Sequence, residues 1–337
     1  MTLRQPAEWS AHDWVWVGFP SHADLWEDDL QAAREEVIAF ARAVDADGSG
    51  ERVVLVAADK LAARDALALA GPHVDVEVQR FGDIWLRDTG PIILTDGGAN
   101  GPGVPAEARD FGFNGWGGKY ELPGDDTVGT RLAQSARFPT RRCEWVFEGG
   151  ALDVDGTGLA ITTEQCLLNP NRNAFVSRAG IEARLAEDLG IDRVLWLGDG
   201  LFNDHTDGHV DNLARFVAEG VIAVPEPTVD DPNEAVYRDA AARARAYGLE
   251  VVGVPSPGRV ERNGEIVPAS YMNFYIGNAA VVVPMYGAAN DAAAVAAIGA
   301  LFPGRRTTGF RADHILTGGG SFHCISQQVP THEPRSA

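Results

Sequence analysis

Short runs rich in β-branched and aromatic residues recur along the chain, each broken by a turn signal and followed by a stretch with helical periodicity. Pro91 to Leu94 runs into Asp96-Gly97, and Trp145 to Val154 turns at Asp155-Gly156 into Gly158 to Thr162. His209 to Val217 turns at Glu219-Gly220 into Val221 to Val224, and Tyr271 to Ile276 turns at Gly277-Asn278 into Ala279 to Pro284. Residues tolerant of positive φ between β-forming runs are hairpin chemistry. The turn positions 97, 156, 220 and 278 lie 59, 64 and 58 residues apart, so one supersecondary unit repeats at a period of roughly 60.

Helical patterns fill the gaps. Leu30, Ala33, Val37, Phe40, Ala41 and Val44 share one face of a helix predicted over Glu27 to Val44. Further helices are predicted over Asn173 to Leu189, Asn233 to Tyr247 and Asp291 to Phe302, the last opening at Asn290-Asp291 and stopping before Pro303-Gly304. A ββαβ unit built this way fits the 337 residues about five times; an α/β sandwich with evenly spaced hairpins is the competing reading. The Pro- and Gly-rich stretches Asp96 to Pro105 and Pro255 to Gly258 read as surface loops, so residues 1–337 are expected to form one domain.

Composition narrows the function. Lys and Arg total 28 against 48 Asp and Glu, a formal net charge of −20, which argues against gripping nucleic acid through its phosphates. The apolar stretches, such as Ala279 to Val283, are too short to span a bilayer. Met1 to Pro20 shows no basic region followed by an apolar run, so no secretion signal is visible. Three scattered cysteines, Cys143, Cys166 and Cys324, make no disulfide framework. The expectation is a soluble cytoplasmic enzyme or binding protein with a small cationic partner, drawn by the negative field. A homo-oligomer is left open.

The candidate chemistry follows the repeat. Asp88 precedes Gly97 by 9 positions, Glu148 precedes Gly156 by 8, and Asp211 precedes Gly220 by 9. Units related by rotation would aim these three carboxylates at a common centre. Asp88 sits in Trp85-Leu86-Arg87-Asp88-Thr89-Gly90-Pro91. A lone Arg-Asp pair is most often a surface ion pair worth little, but the neighbouring Trp85 adds an aromatic wall suited to a planar cation. Glu148-Gly149-Gly150 reads as a β-bulge that brings backbone close to a ligand. In Asp204-His205-Thr206-Asp207-Gly208-His209-Val210-Asp211-Asn212 the histidines invite a metal reading. Gly208 and the β-branched run after it favour a strand instead, with His209 and Asp211 as period-two partners for proton transfer and cation binding. Cys143 and Cys166 read as buried small hydrophobes, whereas Cys324 is approached by Gly318-Gly319-Gly320 and reads as a nucleophile.

Carboxylates imply a cationic target, and a thiol with a histidine implies covalent attack with proton shuttling. A guanidinium meets both demands. Two carboxylates can hold it in bidentate fashion while Cys324 attacks its carbon, ammonia leaves with a proton from His209, and water cleaves the resulting S-alkylthiouronium to a ureido product.

These residues resemble the agmatine deiminases, members of the wider guanidino-modifying enzyme superfamily that includes arginine deiminases and bacterial peptidyl-arginine deiminases. The resemblance begins at Pro6-Ala7-Glu8-Trp9 and takes in Trp85 to Pro91, Glu148-Gly149-Gly150 and Leu168-Asn169-Pro170-Asn171-Arg172-Asn173. It continues through Gly208-His209-Val210-Asp211-Asn212 and Ser270-Tyr271-Met272-Asn273-Phe274-Tyr275, and ends at His323-Cys324-Ile325-Ser326-Gln327-Gln328. It implies a pentein-like, five-bladed α/β propeller of ββαβ units. It also implies Cys324 as nucleophile, His209 as general acid and base, Asp88 and Asp211 as the guanidinium clamp, Glu148 as partner of substrate or of His209, and Trp85 as a channel wall. The implied reaction converts agmatine to N-carbamoylputrescine and ammonia with no metal or cofactor. Peptidyl or free arginine is the alternative substrate, and a non-catalytic guanidinium- or metal-binding propeller the alternative class. Ser321-Phe322, where relatives commonly have Asn-Ile, and Gly82-Asp83-Ile84, where they often have Asn-Asp-Ala, put the substrate's far end in question.

Overall fold

The computed structural model describes residues 3–99, 101 and 103–332; Asn100 and Pro102 of the expected 96–105 loop lie outside them. One strand pattern occurs five times: a strand antiparallel to the next, which is parallel to a third, with a helix ahead of the third. Ile92–Asp96, Ala106–Gly112 and Thr140–Val146 form one such set, with the helix Asp125–Ser135. Asp153–Val154, Leu159–Thr163 and Arg193–Leu197 form another with Arg178–Leu189. Arg215–Ala218, Val221–Glu226 and Glu250–Pro255 follow with Glu234–Tyr247, then Tyr275–Ile276, Ala280–Met285 and Arg306–Arg311 with Asp291–Leu301. In the remaining set the first strand, Ser326–Pro330, comes from the end of the chain and pairs antiparallel with His12–Gly18 near its start. His12–Gly18 then pairs in parallel with Arg52–Ala57 across the helix Leu30–Asp45. The ββαβ unit is therefore the repeat that the hairpin spacing predicts. The two ends of the chain share one unit.

The helices form for the reasons their patterns indicate. Leu30–Asp45 buries Ala33, Val37, Phe40, Ala41 and Val44 as expected, but Leu30 is only partly buried and Arg34, Glu36, Ile38, Ala43 and Asp45 are buried as well; a separate 3-10 turn over Glu27–Asp29 precedes it. Ser177 caps Arg178–Leu189 by accepting from the Gly180 N–H, which places that start later than the predicted Asn173. Phe40 stacks on Phe322 with centroids 5.1 Å apart and meets Tyr275 edge-on at 5.5 Å. Burial of a phenylalanine of this kind stabilises by about 1.5–3 kcal/mol, and here it anchors the segment that carries Cys324. Phe322 is wholly buried in this core, so its departure from the common pattern is a packing feature and not a substrate contact.

The expected long strand runs are not continuous. Each first strand is preceded by a short helical turn: Leu86–Thr89, Gly149–Ala151, Val210–Asn212, Tyr271–Asn273 and the turn at 322–325. The runs 145–154 and 209–217 are interrupted in this way, and His209 and Asp211 are not period-two strand partners. Small or locally hydrogen-bonding residues such as Gly149-Gly150 and Asp211-Asn212 favour turns over extended chain. The β-branched residues next to them mask that signal.

Candidate active site

The chemistry sits on these five turns. Asp88, Glu148, Asp211 and Asn273 are 60, 63 and 62 positions apart, and Cys324 follows on the last turn. The Cys324 sulfur is 3.4 Å from Asp211 Oδ2 and accepts a hydrogen bond of 3.0 Å from Asn273 Nδ2. Asn273 Oδ1 in turn accepts from the His323 and Cys324 N–H groups at 3.1 and 3.2 Å. Asp88 accepts from the Gly150 N–H at 2.9 Å and from the Trp116 indole at 3.0 Å. A Cβ at Gly150 would lie 2.6 Å from His209 Nδ1 and 2.9 Å from Asp88 Oδ1, so glycine is what lets these groups converge. The 3-10 turn at this position replaces the expected β-bulge.

His209 is fully buried, with Nε2 3.3 Å from Glu148 Oε2 and Nδ1 3.7 Å from Asp88 Oδ1. Burial alone would lower its pKa, but Asp88 and hydrogen bonds to Cys166 and Glu148 hold the imidazole protonated well above the usual histidine range. Burial pushes Glu148 toward neutrality, while His209 and Arg172 outweigh it and keep the group a carboxylate. Arg172 Nε donates to Glu148 Oε1 at 2.9 Å, and its other nitrogens bind Asp207 and the Thr206 carbonyl.

The two clamp candidates differ. Burial and the neighbouring Asp211 and Glu148 carboxylates raise Asp88 against the opposing pull of His209 and Trp116. Asp211 is buried too, yet His323 Nδ1 at 2.7 Å, with His209 and Arg215, holds it ionised. His323 Nε2 lies 2.7 Å from Glu8 Oε2, which is also 2.9 Å from Arg215. His323 thus bridges the Asp211 and Glu8 carboxylates. Asp211 Oδ1 has no hydrogen-bond partner among the described residues, which is costly for a buried carboxylate. Burial, then Asp211 and Asp88, pushes the Cys324 thiol well above its usual range.

A cavity of about 560 Å³ opens from Cys324 and Asp88 past Trp85, Trp116 and Tyr120 to Trp26, Glu27, Asp28 and Asp29. Among the described residues that line it, none is Lys or Arg. Trp85 and Trp26 both donate their indole N–H to Asp83, at 2.6 and 3.0 Å.

The structure thus brings Cys324, His209, Glu148, Asp88 and Asp211 together, with Trp85 on the cavity wall. It divides the 204–212 cluster: His205 stands at the rim beside Tyr120, Asp204 caps its own turn, and Asp207 binds Arg172 and Lys119. Arg87 does not pair with Asp88 but reaches toward Glu8 at 3.5 Å and the His323 carbonyl. Cys143 is a buried strand residue. Cys166 is buried as well, but on the short helix Glu164–Leu167 and against Glu148 at 3.8 Å. Glu8, Asn273 and His323 stand in the motifs of the sequence reading without a role there, and Trp116 escaped it. For Asn273 the signal was present, since it falls one period after Asp211 in the same pre-hairpin position.

A family model for Porphyromonas-type peptidyl-arginine deiminase matches residues 4–330, and the chain belongs to that family. It is 36% identical to an agmatine deiminase of Stutzerimonas stutzeri, with 96% of this chain and 95% of the relative covered. Among solved structures it is similar to the agmatine deiminase of Enterococcus faecalis, with a TM-score of 0.90 at 30% identity, covering 98% of this chain and 96% of that one. It is equally similar to a C. jejuni agmatine deiminase variant with substrate bound, with a TM-score of 0.90 at 26% identity over 98% of this chain and 97% of the other. No described helix is long and apolar enough to cross a membrane.

Proposed function

We propose that this protein hydrolyses agmatine to N-carbamoylputrescine and ammonia. We further propose that its five ββαβ units stand as blades of a propeller whose inner turns carry the site. The pairing of Ser326–Pro330 with His12–Gly18 supports that closure. The observation that carries the function is the arrangement of two buried carboxylates beside a thiol, one with an unpartnered oxygen, opposite a histidine that Glu148 keeps protonated.

In this mechanism Asp211 and Asp88 hold the guanidinium. The bound cation cancels the negative field that keeps Cys324 a thiol, and the thiol proton leaves to solvent. The thiolate adds to the guanidinium carbon, held within about 3.5 Å. His209 gives its proton to the departing nitrogen, the C–N bond breaks, and ammonia leaves an S-alkylthiouronium on Cys324. His209, now neutral, takes a proton from water as the water attacks the same carbon. The C–S bond breaks, the ureido product leaves, and sulfur recovers a proton. Glu148 and Arg172 fix the ring of His209 throughout, and Asn273 orients the sulfur.

The substrate's second charge is read from the cavity. Its lining carries Glu27, Asp28, Asp29 and Asp83 and, among the described residues, no Lys or Arg, so an α-carboxylate there would be buried without such a partner. Arg87 and Arg172 are committed to Glu8 and Glu148. A parallel assay of agmatine, free arginine and a peptidyl-arginine model compound tests the assignment. Agmatine is expected to lead free arginine in kcat/KM by at least about a hundredfold, a difference of roughly 2.7 kcal/mol. Equal turnover of either competitor moves the substrate assignment and leaves the thiol chemistry intact.

A further inference from the structure

Behind the reacting groups lies a second thiol for which the proposed mechanism has no use. Cys166 Sγ, Glu148 Oε2 and His209 Nε2 all lie within 4.8 Å of one another, and all three residues are buried. The Glu148–His209 separation is 3.3 Å and the Cys166–Glu148 separation 3.8 Å. A tetrahedral zinc ion with bonds of about 2.0 Å to nitrogen and oxygen and about 2.3 Å to sulfur needs ligand–ligand edges of about 3.3 and 3.5 Å. The three side chains are therefore close to the spacing such an ion requires before any of them moves.

The surroundings also fit. Ligating carboxylates are normally hydrogen-bonded through their other oxygen, and ligating histidines normally give their second N–H to a carboxylate. Glu148 Oε1 accepts from Arg172 at 2.9 Å, while His209 Nδ1, which has no hydrogen-bond partner among the described residues, lies 3.7 Å from Asp88 Oδ1 and would need a small shift to donate to it. The donor set of thiolate, imidazole and carboxylate is that of a borderline-soft divalent cation and not of Mg²⁺ or Ca²⁺. An ion reaching it by the cavity passes Cys324 and Asp88, which form the cavity floor.

We infer that Glu148, Cys166 and His209 form an inhibitory Zn²⁺ site whose occupation removes the acid–base group from the reaction. On binding, Cys166 and His209 each release one proton to solvent, so two positive charges leave as the dication arrives and the charge of the cluster is unchanged. The Nε2 lone pair then belongs to the metal, the ring can no longer cycle its proton, and turnover stops. The inhibition rests on the acid–base role proposed for His209; the binding does not.

The test separates the two. Co²⁺ added to metal-free Cys324→Ala protein, in which the nucleophile cannot serve as a ligand, is expected to give a thiolate-to-cobalt charge-transfer absorption that saturates at one equivalent. Zn²⁺ should displace it, and the band should be absent from a Cys324→Ala, Cys166→Ser double variant. In the otherwise wild-type enzyme, Cys166→Ser should raise the half-inhibiting Zn²⁺ concentration by at least about a hundredfold, each protein being read against its own metal-free rate. Should the serine variants fold poorly, X-ray absorption at the zinc edge of Cys324→Ala protein decides, with one sulfur at about 2.3 Å expected. No sulfur ligand in Cys324→Ala protein, or unchanged zinc sensitivity in Cys166→Ser, overturns the site. A cobalt–thiolate band without zinc inhibition would keep the site and overturn the role of His209.

Discussion

The floor of the cavity and its rim bury carboxylates in opposite ways. Behind the floor, Glu8, Glu148 and Asp211 lie out of water yet remain ionised, because Arg215, Arg172, His209 and His323 stand against them, whereas Asp88 on the floor itself is raised by burial and by two of those carboxylates. At the rim, Asp83, and Asp125 behind it, have indole and backbone N–H donors, with His22 near both and Arg131 near Asp125. Burial pushes them up to about 6 and about 7. Hydrogen bonds from neutral donors do not offset desolvation in the way that a paired charge does. The floor is arranged for charge, and the rim for shape.

The largest expected effect comes from emptying the floor of its nucleophile. Cys324→Ala should abolish turnover while substrate binding persists, because Asp88 and Asp211 remain. Equilibrium dialysis with agmatine checks the binding, and residual activity above a tenth of wild type would remove Cys324 from its role. Mass spectrometry of quenched wild-type enzyme should find the adduct on the peptide bearing Cys324.

Next comes the pairing itself. Glu148→Gln leaves the shape and removes one of the charges that keep His209 protonated, so kcat should fall by about 10²–10⁴. The sign of the pH effect follows from the raised pKa of His209. Wild-type kcat/KM should persist at pH values where an ordinary histidine is neutral, and its basic limb should move to lower pH in the variant. An unchanged rate and profile would reduce Glu148 to a structural residue.

The smallest effect is expected at the rim. Asp125 has a folded pKa above its unfolded value, so the folded state binds more protons there. The stability this contributes is complete below the ordinary carboxylate range and is lost as pH rises through about 7. Asp125→Asn keeps an acceptor for the Gly82 N–H, now at 2.7 Å, and cannot ionise. Denaturant melts should show the variant gaining on wild type from pH 5 to pH 8, by on the order of 1 kcal/mol. A constant difference across that range would mean that Asp125 ionises normally.

Much of this was legible in the residue order. Hairpin spacing predicts the ββαβ repeat, and five of the six residues that periodicity selects on Leu30–Asp45 are buried, though the helix buries polar positions such as Arg34 and Glu36 besides. Asp88, Glu148 and Asp211 stand out because each holds the same place ahead of its turn. Asn273 obeys the same rule and could have been found by it, but an asparagine among Tyr271, Met272 and Phe274 draws attention only once its carbonyl is seen to hold the Cys324 segment.

Local pattern, then, determined the units, their number and the matching place of Asp88, Glu148 and Asp211 ahead of their turns, because turn and strand preferences act over a few residues. It could not show that those turns are helical, since β-branched neighbours give the same signal in a strand as beside one. Only the tertiary structure decided which polar groups pair. Glu8 meets His323 across 315 positions, and Arg172, ahead of the helix Arg178–Leu189, holds Glu148. A buried charge takes whichever opposite charge the packed chain brings within reach, and sequence separation does not enter that energy.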